Sequence, residues 1–215
     1  MIINYASPFT FLFQDKAWFK KFVIASLLTY TILGAAPVLG WMIETVRRVG
    51  HGEASELPEW TDWKTFWRLG GQFAFINAVW LLPFLVGTIL VYLPLIFASQ
   101  LQGKILLVVW GGTLLCVLLV LFIYSVIYAL FFPAMQVLLA GTGSTWQSAN
   151  PVRLWKTVRA HFTQYLIVFL IVGLALFNVM LIVAALTLFL LLPPLLVYAG
   201  LVTAHYAGQL MQVNS

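Results

Sequence analysis

Apolar residues fall along this chain in long unbroken blocks. Residues 69 to 103, 105 to 152 and 160 to the C-terminus contain no Asp, Glu, Lys or Arg. Each block exceeds the ~20 apolar residues that cross ~30 Å of hydrocarbon as a helix. The pattern predicts an all-α, polytopic membrane bundle with four full spans, a broken first segment and amphipathic interfacial helices. Ser7 followed by Pro8 suits an N-cap and first helical residue, opening an interfacial helix over 8–21. Residues 22–45 form an apolar segment interrupted at Gly34-Ala35-Ala36-Pro37, with neither part long enough to span alone. A second interfacial helix follows over 58–70, then transmembrane helices over 73–98 and 105–132, the latter ending at Pro133. A Gly/Ser/Thr-rich loop leads to a third interfacial helix over 151–160. The remaining apolar run, 165–210, would be ~69 Å long as one helix. It divides into spans over about 165–183 and about 187–210, although no charge marks the turn.

Counting cations orients the bundle. If 22–45 crosses once, Lys16, Lys20 and Lys21 lie on the opposite side from Arg47, Arg48, Lys64 and Arg68, against the positive-inside rule. If the segment folds back, all seven share one side with Arg153, Lys156 and Arg159, and Lys104 alone lies outside. The re-entrant arrangement is preferred, with a kinked crossing as its rival. It puts both termini in the cytoplasm. The stretch MIINYASPFTFLFQDK has no basic residue ahead of its first apolar run and is expected to be retained rather than cleaved.

Composition narrows the class further. The 215 residues are 63% hydrophobic and 8% charged, against about 25% charged in soluble domains, which excludes a water-soluble fold. The net charge of +5 reflects loop lysines and arginines beside spans, not nucleic-acid binding. The lone Cys116 permits no intrachain disulfide.

Within this charge-poor chain, ELPEWTDWKTFW at 56–67 gathers three carboxylates and three tryptophans. On a helical wheel Trp60, Trp63, Phe66, Trp67 and Gly70 share one face, opposite Thr61, Lys64, Thr65 and Arg68. The expectation is a surface helix with Glu59 and Asp62 at its positive end. Trp18, Trp60, Trp63, Trp67 and Trp155 are the expected interfacial anchors. Docking of a basic partner or a cation by Glu53, Glu56, Glu59 and Asp62 is the sharper alternative.

Four stretches carry a resemblance: FQDKAWFKK at 13–21, GEASELPEWTDW at 52–63, Phe132-Pro133-Ala134, and AHYAGQL at 204–210. Together they make the chain resemble the prokaryotic membrane-protein family known as domain of unknown function 4013. The resemblance implies a polytopic inner-membrane protein and brings no activity, substrate or catalytic residues with it.

The residues offer little to catalysis. All six carboxylates precede Trp63, so the later spans hold neither a carboxylate relay nor an aspartyl pair. Glu44 stands four residues before Arg48, a spacing that favours an ion pair. His51, His161 and His205 lack metal-ligand spacing, and no metal or other cofactor is expected. His205 is the one candidate ligand for a haem or tetrapyrrole pigment, with packing as its plainer role. Asn77 and Asn178 are expected to hydrogen-bond between helices. Gly200, Ala204 and Gly208 form a small-residue ridge for close helix packing, within the chain or against a partner. The expected function is a non-catalytic scaffold or accessory subunit that packs against other membrane proteins or itself. The alternative is a small permease or lipid-handling protein, suggested by Pro83, Pro94, Pro193, Pro194 and the broken first segment.

Overall fold

The computed structural model describes residues 3–53, 56–96 and 103–214, and these are all helix, turn and coil. The helices are α1 Ser7–Thr10, α2 Trp18–Thr29, α3 Ile32–Gly50, α4 Trp63–Ile96, α5 Lys104–Thr142, α6 Thr145–Ala149, α7 Pro151–Ala160, α8 Phe162–Val168, α9 Phe177–Leu186 and α10 Leu192–Asn214. A 3₁₀ turn at Phe11–Gln14 follows α1, and a π-helical stretch at Phe169–Leu176 joins α8 to α9. Among the described residues three helical stretches are long and apolar enough to cross a membrane: Trp63–Leu93, Leu107–Thr142 and Phe162–Leu186. These mark the chain as a membrane protein. The chain forms two compact units, one of residues 77–129 and the other comprising 1–76 and 130–215.

The larger unit is built on α2, α3 and α10. Its first helices break earlier than the Gly34–Pro37 stretch suggests, at Tyr30-Thr31. The Thr31 hydroxyl accepts a hydrogen bond from Gly34 N at 3.0 Å, capping α3 and fixing the break there. Pro37 then lies inside α3, where it removes one ladder bond without ending the helix. Lys21 and Trp41, about ten residues either side of the turn, both reach Trp60: its indole N–H donates to Lys21 O at 3.2 Å and its ring stacks on Trp41 at 5.0 Å. The two helices therefore fold back on each other as a hairpin. Its tip is tied to the α9–α10 turn by Tyr30 Oη, which donates to Leu190 O at 2.5 Å.

Helix α10 runs alongside α3 in the same direction. A Cβ on Gly200 would meet Met42 Cε at 2.4 Å, and one on Gly208 would meet Val49 Cβ at 2.4 Å. Ala204, between them, is fully buried. The small-residue ridge thus faces α3 of the same chain, where the absence of side chains permits close approach. Helix α4 enters equally closely: a Cβ on Gly70 would lie 1.7 Å from Ala36 O, and one on Gly40 would lie 1.9 Å from Phe66 O.

Several boundaries differ from those expected. The interfacial helix over 58–70 and the span over 73–98 are one helix beginning at Trp63, and residues 58–62 are not helical; the end of the 73–98 span lies outside the described residues. Helix α2 likewise continues past Lys21 to Thr29. Pro133 does not end α5, which runs on through the buried Ala134, Met135 and Leu139. It stops at Gly143, whose φ of +64° and N–H to Leu139 O at 2.9 Å form a left-handed cap. Helices α9 and α10 are joined at 187–191, where Leu188 and Phe189 both take left-handed φ values of 50° and 63°. Side chains rarely favour that conformation, so nothing in their identities announces the turn.

In the smaller unit, Tyr128 Oη donates to Asn77 Oδ1 at 2.5 Å and Tyr124 Oη donates to Trp80 O at 2.6 Å, joining α4 to α5. Gly87 faces Leu121. Leu82, Val86, Leu90, Cys116, Val120 and Tyr124 border an apolar groove of about 530 Å³.

Candidate functional site

Three of the charged residues that break this apolar pattern, Asp15, Lys21 and Glu59, converge on one knot. Asp15, just before α2, and Lys21, in its first turn, are 4% and 3% exposed. Lys21 Nζ lies 2.8 Å from Asp15 Oδ2, donates to Leu57 O at 2.8 Å and pairs with Glu59 Oε1 at 2.6 Å. Asp15 in turn accepts from Leu57 N at 2.9 Å and from Ala17 N at 2.6 Å. Each charge is thus met from several sides, as burial demands. Burial pushes the Asp15 carboxyl up, but the hydrogen bonds from Lys21, Ala17 and Leu57 outweigh it and leave its pKa below the usual value. Burial likewise pushes Lys21 down, and its bonds to Asp15 and Glu59 reverse the shift to a raised pKa.

Aromatic rings brace the same segment. Trp41 Nε1 donates to the carbonyl of the buried Pro58 at 2.8 Å. Trp60 lies between Trp41, at 5.0 Å, and Trp63, at 5.3 Å, with Phe66 edge-on at 5.5 Å. The LPEW segment is therefore a docked loop, with its proline and tryptophan turned toward α3. Asp62 does cap α4, accepting from Thr65 N at 3.1 Å, whereas Glu59 is drawn to Lys21. Trp63, Trp67 and Trp155 remain exposed, while Trp18 packs against Phe13, Phe19 and Phe22.

Beside the knot lies a mixed-charge recess of about 350 Å³, bordered by Glu44, Arg47, Arg48, Glu59, Asp62 and Arg68. Glu44 pairs with Arg47 at 3.5 Å, one residue earlier than the expected Arg48. Arg47 Nε also donates to Ala140 O at 2.9 Å, placing a cation at the negative end of α5. The recess can hold polar groups of either sign. Among the described residues no three His, Cys, Asp or Glu side chains gather as a metal site.

A second lock binds the N-terminal segment to α10. Gln209 accepts from Asn4 N at 2.8 Å and donates to Asn4 O at 3.1 Å. Tyr206 Oη donates to Tyr5 O at 2.5 Å. The His205 ring packs at a tilt against Phe11 at 4.5 Å, and its Nδ1 lies 3.0 Å from Gln209 Nε2. The structure thus places the candidate pigment ligand in a packing role, 4% exposed. Asn178 Nδ2 donates to Leu174 O within its own helical run, instead of bridging helices as expected.

Asp15 and Lys21 lie in one recognisable stretch and Leu57-Pro58-Glu59-Trp60 in another, and nothing in their spacing joins the two. The available signal was their charge: a lysine and an aspartate at the entry to an apolar helix need counter-charges nearby.

Residues 23–207 match the family model described as "Protein of unknown function (DUF4013)". Neither a curated protein nor a solved structure matches the chain. The matched region takes in the LPEW loop and Phe132-Pro133-Ala134, while Asp15 and Lys21, which hold that loop, stand just ahead of it.

Proposed function

The chain belongs to this family, and we propose that it is a non-catalytic accessory or scaffold subunit of the prokaryotic inner membrane, assembling with other membrane proteins. One observation carries this reading: three of the four recognisable stretches use their polar side chains to bind the chain to itself. Asp15 and Lys21 grip the LPEW loop, and Tyr206 and Gln209 grip the N-terminal segment. Residues of an acid–base centre would instead be expected to converge on a substrate space. Meanwhile α4 and α5 present apolar side chains outward along most of their length, among them Leu85, Ile89, Leu118 and Phe122, each more than half exposed. Such surfaces suit lipid and the flanks of other helices.

The proposed topology places the hairpin tip of α2 and α3 within the membrane and the knot at the cytoplasmic side. Helix α2, of 12 residues, is ~18 Å long and too short to cross ~30 Å of hydrocarbon. Purification in mild detergent tests the assignment. Stoichiometric membrane-protein companions, with no solute or lipid flux after reconstitution, are expected. A monodisperse lone chain that moves a solute or lipid in liposomes would contradict it.

A further inference from the structure

We propose that the larger unit holds a binding site for a single-chain amphiphile whose head donates a hydrogen bond, such as a long-chain alcohol. The site is the half-open cavity of about 410 Å³ bordered by α2, α3, the C-terminal part of α5, the α8–α9 run and α10. Its size falls in the range of about 300–1,000 Å³ typical of small-molecule sites. This inference goes beyond the accessory role and does not depend on it.

Most of the wall is apolar, supplied by residues such as Val38, Met42, Phe132, Met180 and Leu196. One carboxamide interrupts it. Gln136, on α5, lines the cavity, is 1% exposed, and its Oε1 has no hydrogen-bond partner among the described residues. A buried carbonyl left unpaired costs about 1–3 kcal/mol, so this oxygen calls for a donor. The nearby hydroxyls do not provide one. Thr29 Oγ1 donates to Ala25 O at 2.8 Å and Thr203 Oγ1 donates to Ala199 O at 2.7 Å, although both residues line the cavity. The buried wall atom left unpaired among the described residues is therefore the Gln136 carbonyl oxygen, and the group that satisfies it carries an O–H or N–H.

Water alone fits poorly, because polar partners occupy only a small part of the wall and apolar cavities stay dry or take up apolar molecules. A hydrocarbon chain fills the apolar part but leaves Gln136 unpaired. A chain ending in a donor meets both demands. The helical run beside the cavity supplies an independent indication: Val172 lines it from within the π-helical stretch Phe169–Leu176. Such widened turns recur at functional sites.

The test uses the full chain in detergent and a dodecanol carrying a photoreactive diazirine in mid-chain. Covalent attachment is mapped by mass spectrometry, in competition with 1-dodecanol and with its methyl ether, which lacks the donor. Attachment is expected within 132–136, 172–180 and 196–203. Dodecanol should compete about tenfold better than the ether, and Gln136→Leu should bring the two within about twofold. Attachment confined to other surfaces, such as the groove between Leu82 and Tyr124, would overturn the proposal. So would equal competition by alcohol and ether in the wild type, a result that decides the matter even if the variant does not accumulate.

Discussion

Asp15 and Lys21 meet at 2.8 Å while almost sealed from solvent, and the same lysine holds Glu59 and the carbonyl of Leu57. This pair joins the start of α2 to a loop some 40 residues later, and with Trp41 and Trp60 it fixes where the first hairpin ends. Removing one partner leaves the other charge buried. Lys21→Met is therefore expected to destabilise the chain by about 3–5 kcal/mol. Thermal unfolding in detergent checks it, and the double variant Asp15→Leu with Lys21→Met should recover part of the loss.

The same pair sets the pH range. Asp15 has a lowered pKa, so its stabilising contribution is complete above the unfolded value of 3.8 and disappears as pH falls through the folded value. Lys21 has a raised pKa, so its contribution is complete below 10.5 and disappears as pH rises through the folded value. Neither group should alter stability between about pH 5 and 9. Unfolding midpoints measured across pH should fall at both ends, with the alkaline fall reduced in Lys21→Met.

Two adjacent glycines should respond oppositely. A Cβ at Gly70 would lie 1.7 Å from Ala36 O, whereas one at Gly71 meets nothing within 4 Å. Gly70→Ala is expected to cost about 1–3 kcal/mol or more by forcing α4 from α3. Gly71→Ala should stabilise by about 0.5–1 kcal/mol through helix propensity. Paired denaturation curves distinguish them.

The α9–α10 turn offers a stabilising change. Leu188 and Phe189 are 83% and 58% exposed and take positive φ. Glycine at either position relieves a cost of about 1–2 kcal/mol. Leu188→Gly is expected to raise the unfolding midpoint, and a lower midpoint would contradict it.

The helical membrane class was legible because apolar block length and missing charge decide it. The small-residue ridge was legible too, since its four-residue spacing is local; that it faces Met42 and Val49 was not, because packing partners are not written in spacing. The LPEW loop misled for a physical reason. Its aromatic positions satisfy helical periodicity, but Pro58 and Glu59 are captured by Trp41 and Lys21, contacts from residues 17 and 38 positions away. Gly34–Pro37 misled similarly, because the Thr31 cap sets the break just upstream. Gln136 carries no local signal, being one amide in a long apolar run whose significance depends on the cavity around it.

The proposed topology puts every charged residue except Lys104 at one membrane face, with α2 and α3 folded back toward it. Single cysteines at Lys16, His51 and Lys104, all exposed, in a Cys116→Ser background, test this through labelling of intact cells and inverted vesicles with an impermeant reagent. Lys16→Cys and His51→Cys should be labelled from the cytoplasmic side, and Lys104→Cys from the opposite side. Labelling of positions 16 and 51 from opposite sides would contradict it.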